Sequence, residues 1–374
     1  MRAAAGHKLG AVGVAWLLVL IAAVTGWWVF QPTLHDPTDN DLTLVYIGAR
    51  IGLEHGWSHI YSLALQHQLF AQLRPQMPFG DGERFLSPPP MAWLIVPLTA
   101  LGAGGAFYAW TAVSLAALVA AWWLAAPGEG LTRSLWLLGA LAWYPVLYSL
   151  SLGQPAMIVL LAVAACWKLA DAGRPYLAGA ALGLSVVKPQ LSLVLPAVLL
   201  VAGHWRIAAG WGMAVAILAG LSVIVIGPQG IGDYRSLMTE AQMVTNNRYF
   251  TLAYVLGPGV LSYVAAAAVV AVGLVGAYVN RGAGLSRLFA LGLITTTLSA
   301  TYWHLQDFTI LVMAAWLFWR DTRSDRQRAW LLVVAFAGEL AWPVSPLPIL
   351  IAVAVWLAFL VVPSPTRLAS AAAL

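Results

Sequence analysis

The sequence predicts an all-α protein that crosses a membrane many times, and three observations carry that expectation. Only 9% of the residues are charged and 61% are hydrophobic, whereas soluble domains carry about 25% charge, so the side chains that a water-facing surface needs are missing. The chain also holds 19 Trp, a residue favoured where hydrocarbon meets headgroups. Finally, apolar segments of spanning length follow one another along the sequence, separated mostly by short polar joints. A helix rising 1.5 Å per residue needs about 20 apolar residues to cross roughly 30 Å of hydrocarbon.

The first segment follows Arg2, His7 and Lys8 and runs from Leu9 to Phe30. It is longer than a signal-peptide core and no small-residue cleavage site follows it, so it reads as a retained span with a cytoplasmic N-terminus. The pattern predicts about twelve spans in a single domain, 1–374: roughly 9–30, 88–104, 106–126, 132–151, 154–170, 175–203, 206–226, 252–279, 286–303, 305–319, 329–342 and 346–362. The sixth carries Lys188-Pro189 in its middle and is expected to be kinked or split into two half-spans. Segments 204–206, 280–287, 320–328 and the C-terminal tail then face the cytoplasm. The run "RDTRSDRQR" at 320–328 is the strongest inside signal. No internal repeat supports an inverted-repeat transporter.

The net charge is +5 at pH 7. Its basic residues sit in short loops beside apolar segments, which suits anionic lipid and not nucleic acid. The one cysteine, Cys166, excludes an intrachain disulfide and reads as a small buried side chain.

Two outer segments are long, 31–87 and 227–251, and long connections in a compact bundle are usually functional. The first opens with "HDPTDND", His35 to Asp41, an acid-rich stretch in a charge-poor chain. Two amphipathic helices are expected after it, lying on the membrane surface. The first starts at "LTLVYIGARIGLEHG", with Asp39 or Asn40 as cap and Gly52 or Gly56 as terminator. The second falls in "WSHIYSLALQHQLFAQL", with Ile60, Leu63, His67 and Phe70 on one side. Asp41 stands at the start of the first helix, where the helix N-terminus favours an ionised carboxylate. A carboxylate held there is well placed as a base. Asp36 and Asp39 read as loop acids or caps. The spacing lacks the glycine and distal glutamate of a calcium loop, so no metal is expected.

Four stretches, in this order, resemble one family: "DLTLVYIGARI", "FLSPPPMAWLIVPLTALG", "LGQPAMIVLL" followed by "YLAGAALGLSVVKPQLSLVLPAVLL", and "SATYWHLQDFTILVMAAWL". They are similar to the opening Asp…Tyr pattern, the Pro-Pro-Pro start of the second span, the Gly-Gln and Lys-Pro-Gln segments and the late Asp-containing segment of the polyprenyl-phosphate-dependent glycosyltransferases of family 87, in the C-type superfamily. Two positions depart from the pattern: Ser299-Ala300 replaces a Ser-Pro pair, and Leu42 replaces an aromatic after Asp41.

The resemblance implies a C-type, multi-span transferase of the EC 2.4 class. It would take a sugar, mannose or arabinofuranose, from a polyprenyl-phosphate donor on the outer face of a bacterial inner membrane. The acceptor would be a lipid or a glycan of the cell envelope, and no cofactor is implied. Asp41 matches the family's catalytic aspartate. Direct displacement inverts the anomeric centre, with one base for the acceptor hydroxyl and cations or hydrogen-bond donors for the departing phosphate. Lys188, Arg248 and His304 are the candidates for that phosphate. Lys188 stands well inside an apolar run, where a charge is costly and usually functional, although a lysine paired with an acid to hold a kink at Pro189 is the plainer reading. Gln154, Asn246, Asn247 and Asp307 are candidates for the sugar or for orienting the site. Glu339 reads as structural, and Trp57, Trp303 and the other tryptophans as interfacial belts. A transporter or lipid flippase is the alternative class; it would place coupled charges at the midplane of both halves, whereas here the acids gather in an outer loop. A noncatalytic scaffold is the third.

Overall fold

The structure is a computed structural model that describes residues 2–363, with side chains from residue 10 onward. The basic N-terminal side chains and the tail beyond 363 lie outside the described residues. Among the described residues every regular element is helical. Four helices are long and apolar enough to cross a membrane, and a fifth joins them if one bent pair is a single span. The long segments on either side of residues 40 and 240 share one end of the bundle, the loop end.

Helix α1 (Arg2–His35) leaves Trp16, Trp27 and Trp28 exposed, as suits a surface solvated by lipid. Helix α2 (Leu42–Glu54) starts where Asn40 Oδ1 accepts the Thr43 N–H at 3.1 Å. The chain leaves it through Gly56, at φ 93°. Helix α3 (Leu63–Leu73) follows. Both expected helices are present, but α2 is no surface helix: Val45, Tyr46, Ile47, Ala49 and Ile51 are all buried, so protein encloses it on more than one side.

Two of the expected spans return to the end of the bundle from which they start. Helix α4 (Pro89–Ile95) and a 3₁₀ turn (Val96–Leu101) precede α5 (Gly102–Ala125). Pro88 is at the loop end, Tyr46 Oη donates to Thr99 O at 3.4 Å, and Gly104 lies against Pro37. Segment 88–104 therefore begins and ends beside the first loop, and α5 alone makes the traverse. Helices α6 (Gly130–Ala142) and α7 (Tyr144–Ser151) form the bent pair, 61° apart. At the bend Trp143 Nε1 donates to Ala335 O at 3.0 Å and Glu339 accepts the Tyr144 N–H at 2.9 Å. Glu339 thus caps α7. Helix α8 (Ala156–Asp171) returns.

Segment 175–203 is a hairpin. Helix α9 (Pro175–Gly183) rises, two 3₁₀ turns flank Lys188, and α10 (Leu195–Val201) descends. Tyr176 near its start and Trp205 just after its end have ring centroids 6.1 Å apart, so both ends lie together. The break is local chemistry: a residue before proline is disfavoured in helical geometry, and Lys188 sits at φ −151°, ψ 73°.

Helix α11 (Trp205–Met243) is kinked at Gly227, φ 64°. The sequence ends this helix at 226 and expects a loop; instead Pro228 starts a second helical stretch, proline being preset for a first helical turn. Helices α12 (Ala253–Leu256), α13 (Val260–Val279), α14 (Leu285–Ser299), α15 (Leu311–Asp321), α16 (Asp325–Leu340) and α17 (Leu347–Val361) complete the bundle. Residues Arg287 to Leu298 of α14 are all buried, so this helix is the central post. Trp303, Trp316 and Trp356 are fully buried too; these tryptophans are core and not an interfacial belt.

Candidate active site

At the loop end a cavity of about 880 Å³ opens among the helix ends. Asp41 forms part of its wall. The turn before it is built by its neighbours. Asp36 accepts from Thr38 N (2.9 Å) and Thr38 Oγ1 (2.6 Å), and Asp39 pairs with Arg74 at 2.8 Å. The hydrogen bond from Thr38 holds the Asp36 carboxyl below its usual range. Asp36 and Asp39 are committed to the loop, and Asp41 is left to face the cavity.

The "LGQP" joint meets Asp41 directly. Leu42 N–H donates to Leu152 O at 3.1 Å. Gly153 adopts φ 65°, and a Cβ on it would lie 2.7 Å from Leu42 Cβ, so only glycine allows this approach. The next residue, Gln154, then donates from Nε2 to Asp41 Oδ2. Its Oε1 accepts from Lys188 Nζ at 2.6 Å, and Lys188 also pairs with Asp307. Asp307 is completely buried and accepts the His304 N–H at 3.1 Å.

His304 Nε2 lies 3.1 Å from Asn247 Oδ1. The Asn247 Nδ2 group donates to Ala241 O at 2.7 Å, which turns its carbonyl toward the histidine, so Nε2 carries the proton. Burial lowers the His304 pKa. Burial pushes the Asp41 carboxyl up, opposed by the hydrogen bond from Gln154 and by the Lys188 charge. A carboxylate with a raised pKa, beside an amide donor and one buried cation, is suited to take a proton from a neutral hydroxyl.

The cavity therefore gathers Asp41, Gln154, Lys188, Asn246, Asn247 and His304. Asp307 lies just behind them. Arg248 stands apart: its guanidinium donates to Pro258 O at 2.8 Å and to Tyr263 Oη, outside the cavity wall. The structure adds residues that the sequence did not single out. Tyr148, Tyr234, Tyr302, Gln190 and Arg84 also line the cavity. Gln190 belongs to the Lys-Pro-Gln segment and was legible there. Arg84 looks like one more loop charge until the fold brings it over the site, between Asp81 (2.6 Å) and Glu240 (2.5 Å). Among the described residues no three His, Cys, Asp or Glu side chains cluster as a metal site.

The model of glycosyltransferase family 87 matches residues 85–301, more than half of the chain. The chain belongs to glycosyltransferase family 87. No curated protein and no solved structure matches it. The matched stretch of this family 87 protein contains Gln154 and Lys188, while Asp41 precedes it and His304 and Asp307 follow it directly. A family 87 chain with several apolar helices is a membrane glycosyltransferase, with a sugar donor and an acceptor as its substrates.

Proposed function

We propose that this protein transfers mannose or arabinofuranose from a polyprenyl-phosphate donor to a hydroxyl of a lipid or glycan acceptor, with inversion at the anomeric carbon. The supporting observation is the half-buried Asp41 on the wall of an 880 Å³ cavity, joined to Gln154 and Lys188. That volume falls within the usual range for ligand sites. The acceptor oxygen attacks the anomeric carbon while Asp41 takes its proton. The bond from that carbon to the phosphate oxygen breaks, and the phosphate leaves with the electron pair. A phosphate ester is a stable anion and needs donors or positive charge, not a proton.

The donors available to that phosphate differ from the expected set. Lys188 donates to Gln154 and is ion-paired with Asp307, so its charge is already engaged. His304 directs Nε2–H at Asn247 and would offer a second donor only as imidazolium. Arg84 is the other cationic side chain on the wall, and we assign it a part of the phosphate site. Asn246 and Gln190 are then left for sugar hydroxyls. The architecture is proposed to be C-type, in a bacterial inner membrane with the cavity facing the periplasm.

The test is transfer by purified protein in detergent, given polyprenyl-phosphate mannose and polyprenyl-phosphate arabinofuranose in turn with a lipid or glycan acceptor. Product of inverted anomeric configuration from either donor is the expected result. Donor movement across a vesicle bilayer without sugar transfer would instead establish a flippase.

A further inference from the structure

The chemistry of an ammonium group settles which way Gln154 points. Lys188 Nζ bears three donors and no acceptor, so the Gln154 atom 2.6 Å from it must be the carbonyl oxygen. The Gln154 amide nitrogen is thereby turned toward Asp41 Oδ2. Lys188 is held in turn by Asp307, whose fully buried carboxylate requires a cation. Asp307 is itself fixed by the His304 backbone N–H. The chain Asp307–Lys188–Gln154–Asp41 joins four separate parts of the sequence, through one ion pair and two hydrogen bonds of defined direction. Asp41 Oδ1 receives no hydrogen bond among the described residues, so one oxygen is anchored and the other is open to the cavity.

Resting on the transferase reading above, we propose that Lys188 is a positioning residue for Asp41: through Gln154 it directs an amide N–H at one carboxylate oxygen, keeping the base ionised and its second oxygen free for the acceptor hydroxyl. The groups facing Asp41 are Gln154, Lys188 and His304, which favour its ionised form, Asp307, which opposes it, and the phenols Tyr148 and Tyr302. A role confined to binding donor phosphate would leave the protonation of Asp41 in the empty enzyme unaffected by how Gln154 is turned.

The experiment reads the protonation of Asp41 directly. A membrane-permeant carbodiimide modifies protonated carboxyls, so modification of the Asp41 peptide is followed against pH by mass spectrometry, with Asp41→Asn as the blank. Lys188→Met and Gln154→Leu should each move the midpoint upward, by about one unit or more, as loss of a charge or of a hydrogen bond to a carboxylate does. Lys188→Arg keeps the charge and the donors and should return it toward wild type. Lys188→Met alone leaves Asp307 unpaired and is at risk of misfolding, so Lys188→Met/Asp307→Asn is measured too. It removes two charges of opposite effect, and the upward shift that persists reports the lost orientation of Gln154. In the transfer assay the acidic limb of the kcat/KM profile should move with the midpoint. An unmoved midpoint in both Gln154→Leu and the double variant overturns the proposal, whatever the transfer rates are. A shifted midpoint in a protein that transfers no sugar sustains the positioning of Asp41 and removes the transferase reading instead.

Discussion

At the residue scale, three aspartates within a few positions have different surroundings. Asp36 is satisfied by Thr38, Asp39 by Arg74, and Asp41 by a side chain from a distant segment. Asp41→Asn keeps size but cannot accept the proton, so transfer should fall by roughly 10²- to 10⁴-fold while donor affinity is retained. Asp36→Asn and Asp39→Asn should keep most of the rate. Purified variants assayed for transfer and donor binding check this; near-normal transfer by Asp41→Asn would remove the base assignment. Because burial raises the Asp41 pKa and the base acts only when deprotonated, transfer should increase as pH rises through that raised value. Arg84 gives a second prediction. An incoming phosphate competes with Asp81 and Glu240 for its guanidinium. Arg84→Gln should raise the donor KM by roughly tenfold or more, as loss of a hydrogen bond to a charged group implies, whereas Glu240→Gln should lower it. If the ion pair only clasps the two outer segments, both variants shift KM in the same direction.

At the scale of elements, glycine decides how closely α9 can approach α11. A Cβ on Gly179 would lie 2.1 Å from Ile207 O, and one on Gly210 would lie 2.3 Å from Tyr176 O. The two backbones are in contact, as small residues permit between membrane helices. This contact carries the hairpin whose tip is Lys188. Gly179→Ala should destabilise by about 1–3 kcal/mol, the usual cost of overpacking, and weaken the link from Lys188 to Gln154. Gly212 lies on the same α11 but has open space where a Cβ would go. Gly212→Ala should therefore be neutral or stabilising by about 0.5–1 kcal/mol. Thermal unfolding of both variants in one detergent separates them, and equal losses would show that the contact does not matter.

At the scale of the whole molecule, the two ends differ in charge and task. Opposite the cavity, Arg287 in the first turn of α14 donates to Asn280, Asp321, Phe359 O and Val362 O, tying α13, α15 and α17 to the central post. Arg320 closes the same end by donating to Ala125 O and Ala126 O, each at 2.8 Å. Arg287→Met leaves Asp321 without its ion-pair partner and should cost about 3–5 kcal/mol, read as a lowered Tm, with the carbodiimide midpoint of Asp41 unchanged. That arginine-rich end is expected in the cytoplasm. Cys166 is buried; in a Cys166→Ala background, an impermeant thiol reagent added to intact cells should label Gln76→Cys and spare Ser324→Cys. The reverse pattern would invert the orientation and move the cavity inside.

The sequence by itself determined the class of this protein. Its lack of charge and its apolar segments dictate helices in a membrane, because an unpaired backbone is too costly in hydrocarbon. Local chemistry was legible where one residue constrains the next: a cap at Asp39 or Asn40, a stop at Gly52 or Gly56 and a break at Lys188-Pro189 were all offered by the sequence, and the structure uses Asn40 and Gly56. The ordered motifs were enough to point to the family. What the sequence could not determine was direction. An apolar run has the same composition whether it crosses, folds back as 175–203 does, or stays at one face as 88–104 does, and only packing against other helices decides among these. The same holds for the site. Gln154 and Lys188 are 34 positions apart, and Gln154 and Asp41 are 113 apart; no periodicity links such positions. The tertiary structure brings them together because Gly153 admits Leu42 and because the proline after Lys188 turns a buried lysine out of its helix, where its charge needs both a carboxylate and an amide carbonyl.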